Sequence, residues 1–153
     1  MTSLQQQPKL HCYGSSAAAT FEGTTKSNTD GLMHTVNIEV APMQDRRVDW
    51  HRKISLQLSH QELVILTGIC LGFAKQVHLQ RPGKGIKIER QHGNLYINAS
   101  AGRGNMFALP LNVGDTARLA DFGLMQLTRG SFTGSIEAVL ASVRGACALI
   151  RDQ

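Results

Sequence analysis

The spacing of apolar positions changes several times along the chain, and each change marks an element. His11 to Phe21 carries Ala, Thr, Tyr and Phe and suits a strand, and Lys26 to Gly31 (KSNTDG) suits a turn. His34 to Val40 alternates, with Val36, Ile38 and Val40 opposite Asn37 and Glu39, as in a half-buried strand. Ala41 to Arg47, containing Pro42, reads as a loop. Arg52 to Leu58 alternates again, with Ile54, Leu56 and Leu58 opposite Lys53, Ser55 and Gln57.

At Ser59 the period lengthens to that of a helix. Ser59 and Glu62 form a capping box, in which the hydroxyl accepts from a free backbone N–H and the carboxylate reaches back. The helix is expected over about His60 to Lys75. Its apolar residues, from Leu63 through Ile69 and Phe73 to Ala74, cover nearly the whole circumference. A helix apolar all round needs burial on every side. In a 153-residue sheet protein, copies of the same chain would supply it. The expected homo-oligomer, a tetramer, is centred on Leu63, Leu66, Gly68, Ile69, Gly72 and Phe73. The two glycines leave a strip where another backbone can approach, and the alternative is a central helix within one protomer.

Short strands and turns follow: VHLQ, the turn RPGKG, IKIER, a hairpin around His92-Gly93, LYINASA, the loop GRGN and MFALPL. Asp115 is the expected cap of a helix over Ala117 to Leu127. Ser135 opens the last helix, to about Ile150, with Val139, Val143 and Cys147 on its apolar face. The order is three strands, a helix, about four strands and two helices. That is an α+β domain over residues 11–153, behind a loose polar arm at residues 1–10.

Composition narrows the class. At 42% apolar residues the chain has enough for a core, so global disorder is excluded. The net charge of +5 favours a polyanionic partner. No apolar run approaches the roughly 18 residues of a membrane span, so no membrane partner is expected. The N-terminus lacks the charged and apolar regions of a secretory signal. Cys12, Cys70 and Cys147 are widely spaced and suggest neither a disulfide framework nor a zinc site. A reducing, cytoplasmic setting fits them.

Against this background DWHRKISLQLSHQEL, Asp49 to Leu63, resembles the Whirly family's segment in which an Asp-Trp pair opens a basic strand ending in Leu-Ser before a buried helix. Tyr13 to Phe21 (YGSSAAATF) stands where that family has a Lys-Gly-Lys-Ala-Ala strand, and Pro42 where it has a Pro. GIKIERQHGNLYINASA is similar to its second-sheet hairpin, and FALPL to its entry into the C-terminal helices. The resemblance implies two antiparallel sheets packed crosswise, a central buried helix and C-terminal helices. It implies tetramers that bind single-stranded DNA with little sequence preference, in replication, repair, recombination or plasmid transfer. A kinetoplastid mitochondrial guide-RNA-binding pair shares the architecture, which makes RNA binding or annealing the alternative partner chemistry. The chain departs from the family at Gly14, Ser15 and Ser16, which replace its lysine-bearing strand, and at Val48, which replaces a Tyr. The absence of a plant-type transit segment suggests a bacterial, phage or plasmid setting.

The charge map agrees with a nucleic-acid partner. Between Arg46 and Arg103 ten basic residues stand against three acids, a net +7. Cations on strands with interleaved rings suit a flexible single strand, because phosphates meet the cations and unpaired bases stack on the rings. The candidate contacts are Trp50, Arg52, Lys53, Arg81, Lys84, Lys87, Arg90, Tyr96, Arg103 and Phe107. Trp50 reads equally as a base platform or as an anchor between sheet and helix. Solvated charges over core aromatics would be the plainer reading of the whole set. His51, Asp49 and Ser55 form no nucleophile-elbow signature, the six histidines have no metal-ligand spacing, and neither RPGKG nor GRGN is a phosphate loop. The chain therefore reads as non-enzymatic, without cofactor or metal.

Overall fold

Among the described residues, alternating strands build two antiparallel sheets, and three helices cover their apolar faces. The computed structural model describes residues 7–29 and 31–151. The first sheet contains β1 (Lys9–Tyr13), β2 (Ala17–Asn28) and β3 (Gly31–Gln44) in order. The two-residue β4 (Arg47–Val48) and then β5 (Ile54–Gln57) also pair with β3. After helix α1 (His60–Leu71) comes the second sheet, a meander of β6 (Gln76–Arg81), β7 (Lys84–Gln91), β8 (Asn94–Ser100) and β9 (Met106–Leu111). Helices α2 (Val113–Arg129) and α3 (Ile136–Arg151) close the described chain. The expected α+β class with two antiparallel sheets is borne out.

Several boundaries differ from expectation, each for a local reason. Residues 1–6 of the expected arm lie outside the described residues, whereas Lys9 and Leu10 already belong to β1. The single strand expected over His11 to Phe21 is two, because the Gly14 N–H donates to the Ala17 carbonyl at 2.8 Å and reverses the chain. Pro42 does not end β3. Its carbonyl accepts from the Asp49 N–H, and the strand runs on to a two-residue hairpin turn at Asp45 and Arg46, both at positive φ. Arg52 lies in a 3-10 turn, Trp50–Arg52, capped by Asp49. Helix α1 stops at Leu71, short of Lys75, because Gly72 adopts the left-handed conformation at φ 89° and turns its N–H back to Gly68 and Ile69. Asn112, not Asp115, caps α2, its side-chain oxygen accepting from the Asp115 N–H at 2.8 Å.

One core joins all the layers. Phe21, Val36, Ile38 and Val40 of the first sheet, Leu79, Ile86, Ile88 and Ile97 of the second, and Leu63, Leu66 and Ile69 of α1 are essentially inaccessible. The sheets approach each other at Gly14, where an added Cβ would lie 2.9 Å from the Leu109 Cβ. A buried polar link ties α2 to β3: Gln126 Nε2 donates to the Thr35 carbonyl at 2.7 Å, and the Thr35 hydroxyl donates to the Leu58 carbonyl at 2.7 Å. Burial pushes the Cys12 and Cys70 thiols up to about 12, with the Asp115 charge adding to the effect at Cys12, and raises Cys147 as well. All three are free thiols, with Cys12 and Cys147 buried and Cys70 half-buried.

The central helix is buried largely by its own chain. Helices α2 and α3 and both sheets pack on it, covering Leu63, Leu66, Gly68 and Ile69. The glycine strip serves that internal packing. A Cβ at Gly68 would overlap the Cys147 sulfur of α3, and Gly72 is the helix cap. Phe73 is half-buried under the Arg144 guanidinium, 5.3 Å from the ring centre. Leu63, Leu66, Gly68 and Ile69 are therefore covered within the protomer, whereas Gly72 is exposed and Phe73 half-exposed. The apolar surface left over lies elsewhere, on Val64 and Ile65 of α1 and on Ile136 and Leu149 of α3.

Candidate nucleic-acid interface

Strand alternation sorts the basic residues by face. On the second sheet the inner rows, Leu79–Ile86–Ala99 and Val77–Ile88–Ile97, are buried under the helices. The outer rows are polar. His78, Lys87 and Asn98 stand side by side, with Glu89 and Tyr96 in the next row and Gln76 and Gln80 along β6. Lys87 is exposed, as its alternation with Ile86 and Ile88 predicts, and lies 3.6 Å from Glu89. Tyr96 is half-exposed and registers with Glu89 and Pro110. The Gln80 amide lies 3.2 Å from His78 Nδ1, which orients the imidazole on this face.

The outer face of the first sheet is mixed in charge. Lys53 stands there as predicted but pairs with Glu39 at 2.7 Å, and Lys9 pairs with Glu22 at 3.3 Å. His11 and Tyr13 stack with ring centres 6.3 Å apart, and Tyr13 is 63% exposed. Alternation alone makes both residues the polar side of a strand, but the hairpin at Gly14 that sets their position carries no periodic signal.

Two predicted contacts serve the fold instead. Arg81 and Lys84 flank the β6–β7 turn and reach across to β5, the last strand on that side of the first sheet. Arg81 Nη2 donates to the Gln57 carbonyl at 2.6 Å, and Lys84 Nζ donates to the Ser55 carbonyl. Arg81 also grips Glu62 through both terminal nitrogens, at 2.7 and 3.0 Å. Burial alone would push the Glu62 carboxyl up. The Arg81 hydrogen bonds and charge, with the Ser59 N–H, outweigh it and hold the group below the ordinary carboxylate range. These cations satisfy strand carbonyls that would otherwise form an open edge.

The remaining candidates divide between two ends of the molecule. Arg90 is exposed but has the parity of Ile86 and Ile88, so it lies beside Gly72 and Cys70 on the helix side rather than with Lys87. Phe107 has inner parity and is 6% exposed, so it offers no ring to a base, contrary to expectation. Its ring lies under the Arg52 guanidinium, 5.3 Å from its centre. Arg52 Nη2 also reaches the Gly104 carbonyl and Asn105 Oδ1, both at 3.4 Å, which brings the 3-10 turn against the Gly102–Asn105 loop. Arg103 is exposed in that loop, Arg47 is exposed on β4, and Trp50 is half-buried in the turn. Among the described residues no three His, Cys, Asp or Glu side chains come together in a metal-binding arrangement, and no helix is long and apolar enough to cross a membrane.

No protein-family model matches the chain, and no curated protein does. Among solved structures, the Trypanosoma bruciei MRP1/MRP2 crystal structures share its fold. That match has a TM-score of 0.59 and 15% sequence identity, and covers 83% of this chain and 95% of the other.

Proposed function

We propose that this protein binds single-stranded nucleic acid without catalysing a reaction, and that RNA is at least as strong a candidate as DNA. The observation that carries the reading is the helix-free outer face of the second sheet. There Lys87, His78, Asn98, Gln80 and Tyr96 present a cation, hydrogen-bonding groups and a ring on one rigid surface, with Glu89 as the acid among them. A single strand can lay phosphates on the cation while its unpaired bases meet the ring and amides. The fold match to MRP1/MRP2 falls on the kinetoplastid branch of the Whirly resemblance, and so supports RNA alongside DNA.

The reading includes a homo-oligomer, a tetramer on the Whirly pattern. Exposed Leu149 (78%) and Phe132, which border grooves shared with Val64, and exposed Ile136 (51%) at the start of α3 support assembly through this helical surface rather than through the centre of α1. Multi-angle light scattering tests it, and a stable monomer would remove it.

Fluorescence anisotropy with single-stranded RNA, single-stranded DNA and duplex of equal length, at matched salt, tests the main reading. Both single strands should bind more tightly than duplex. An RNA preference would indicate contacts to the 2′-hydroxyl, and a DNA preference would return the protein to replication, repair, recombination or plasmid transfer. Tighter duplex binding would overturn the reading, as would no binding at all.

A further inference from the structure

Arg52 has the geometry of a stacking platform rather than of a phosphate clamp. Phe107 lies beneath the guanidinium, 5.3 Å from the ring centre, and is itself only 6% exposed, so the ring acts as a buried floor. Arg52 is exposed although the Phe107 ring covers one side of its guanidinium, which leaves solvent-facing surface on the group. The contacts to Gly104 and Asn105 both run through Nη2 and are long, at 3.4 Å, so they turn the group without consuming its donors. No carboxylate lies within ion-pair distance of it among the described residues. The other cations at the junction of the two sheets are spent differently: Lys53 is paired with Glu39, and Lys84 with a strand carbonyl.

A planar cation backed by an aromatic ring and still open to solvent suits a nucleobase. Arginine planes stack on bases, and the ring below reinforces the charge through its quadrupole. We infer that Arg52, seated on Phe107, stacks on one unpaired base of a bound single strand, with Phe107 as its positioning residue and exposed Arg103, in the adjoining loop, as the phosphate contact. This rests on the proposed single-strand reading. It extends that surface from the outer face of the second sheet to the junction between the sheets, and it gives Arg52 a role that charge alone cannot fill.

The test separates planarity from charge. Arg52→Lys keeps the cation and removes the plane. Anisotropy is read for wild type and Arg52→Lys on two single-stranded oligonucleotides of equal length and charge, one with bases throughout and one built of stable abasic nucleotides. The variant should bind the base-bearing strand about tenfold more weakly, within the range for the loss of one stacked base, and the abasic strand like wild type. Its salt slope should be unchanged, because the charge remains. Equal weakening on both strands, or none on either, would overturn the inference and leave Arg52 as a brace for the Gly102–Asn105 loop. Failure of wild-type protein to bind the base-bearing strand would instead overturn the single-strand reading itself. The melting temperature of Arg52→Lys, expected to match wild type because the side chain is exposed, guards against a folding defect. Phe107→Leu, which fills the core without a ring face, should reproduce the base-selective loss.

Discussion

Arg81 and Glu62 face each other in a two-pronged ion pair, Nη2 to Oε1 at 2.7 Å and Nη1 to Oε2 at 3.0 Å, which joins the start of the second sheet to the first turn of the central helix. The same carboxylate closes the capping box, accepting from the Ser59 N–H at 2.8 Å. One acid therefore starts the helix and anchors the β6–β7 hairpin.

Glu62→Gln should lower the melting temperature near neutral pH and flatten its dependence on acid. The carboxyl is held below its ordinary value of 4.5, so its contribution is fully present above that pH and is lost as the pH falls through the lower folded value. Melting curves collected from pH 7 down to pH 3 check this. A variant as acid-sensitive as wild type would mean that another carboxylate governs the acid limb.

Lys84 and Lys87 lie three residues apart on one strand, yet their alanine variants should behave oppositely. Lys87→Ala removes an outer-face charge and should reduce the salt slope of single-strand binding by about 0.7 for each phosphate left without its cation, with little change in melting. Lys84→Ala leaves the Ser55 carbonyl without its donor and should lower the melting temperature while sparing the salt slope. Titrations at several salt concentrations, with melting curves on the same samples, separate the two. An unchanged slope in Lys87→Ala would move the bound strand to another face.

Gly68→Ala should destabilise the fold by ~1–3 kcal/mol, the cost of overpacking a filled core, because its methyl group would overlap the Cys147 sulfur. Cys147→Ala in the same chain should recover much of that loss, since it removes the colliding atom. Denaturant unfolding of both single variants and the double variant measures the coupling. Additive effects would mean that α1 and α3 do not touch at this point.

Tyr96→Ala should weaken single-strand binding by ~1–3 kcal/mol if its ring takes a base, at nearly constant salt slope. Trp50→Ala should lower the melting temperature as well, because Trp50 is half-buried in the turn that Asp49 caps. Intrinsic fluorescence offers a direct check, since Trp50 is the chain's single tryptophan. Emission unaltered by a saturating oligonucleotide would place the strand away from that turn.

Periodicity and local chemistry determined much of this protein. The alternation of Ile86, Lys87 and Ile88 assigned strand and face together, because side chains on a strand have a period of two. Ser59 and Glu62 marked the start of α1, because a capping box needs only residues three apart. The net +7 between Arg46 and Arg103 pointed to a polyanion without locating it. Tertiary structure decided what each cation does. Arg81 and Lys84 look like Lys87 in sequence, but the approach of the two sheets sets them against carbonyls of β5, and desolvated backbone acceptors claim them. Phe107 looks like an available ring until its parity on β9 turns it inward beneath Arg52. The all-apolar α1 suggested burial by other subunits, yet most of its covering comes from α2 and α3, which lie far along the chain from it. Contacts between distant segments leave no period in the chain, so the division of its cations between fold and surface existed only once the sheets had packed.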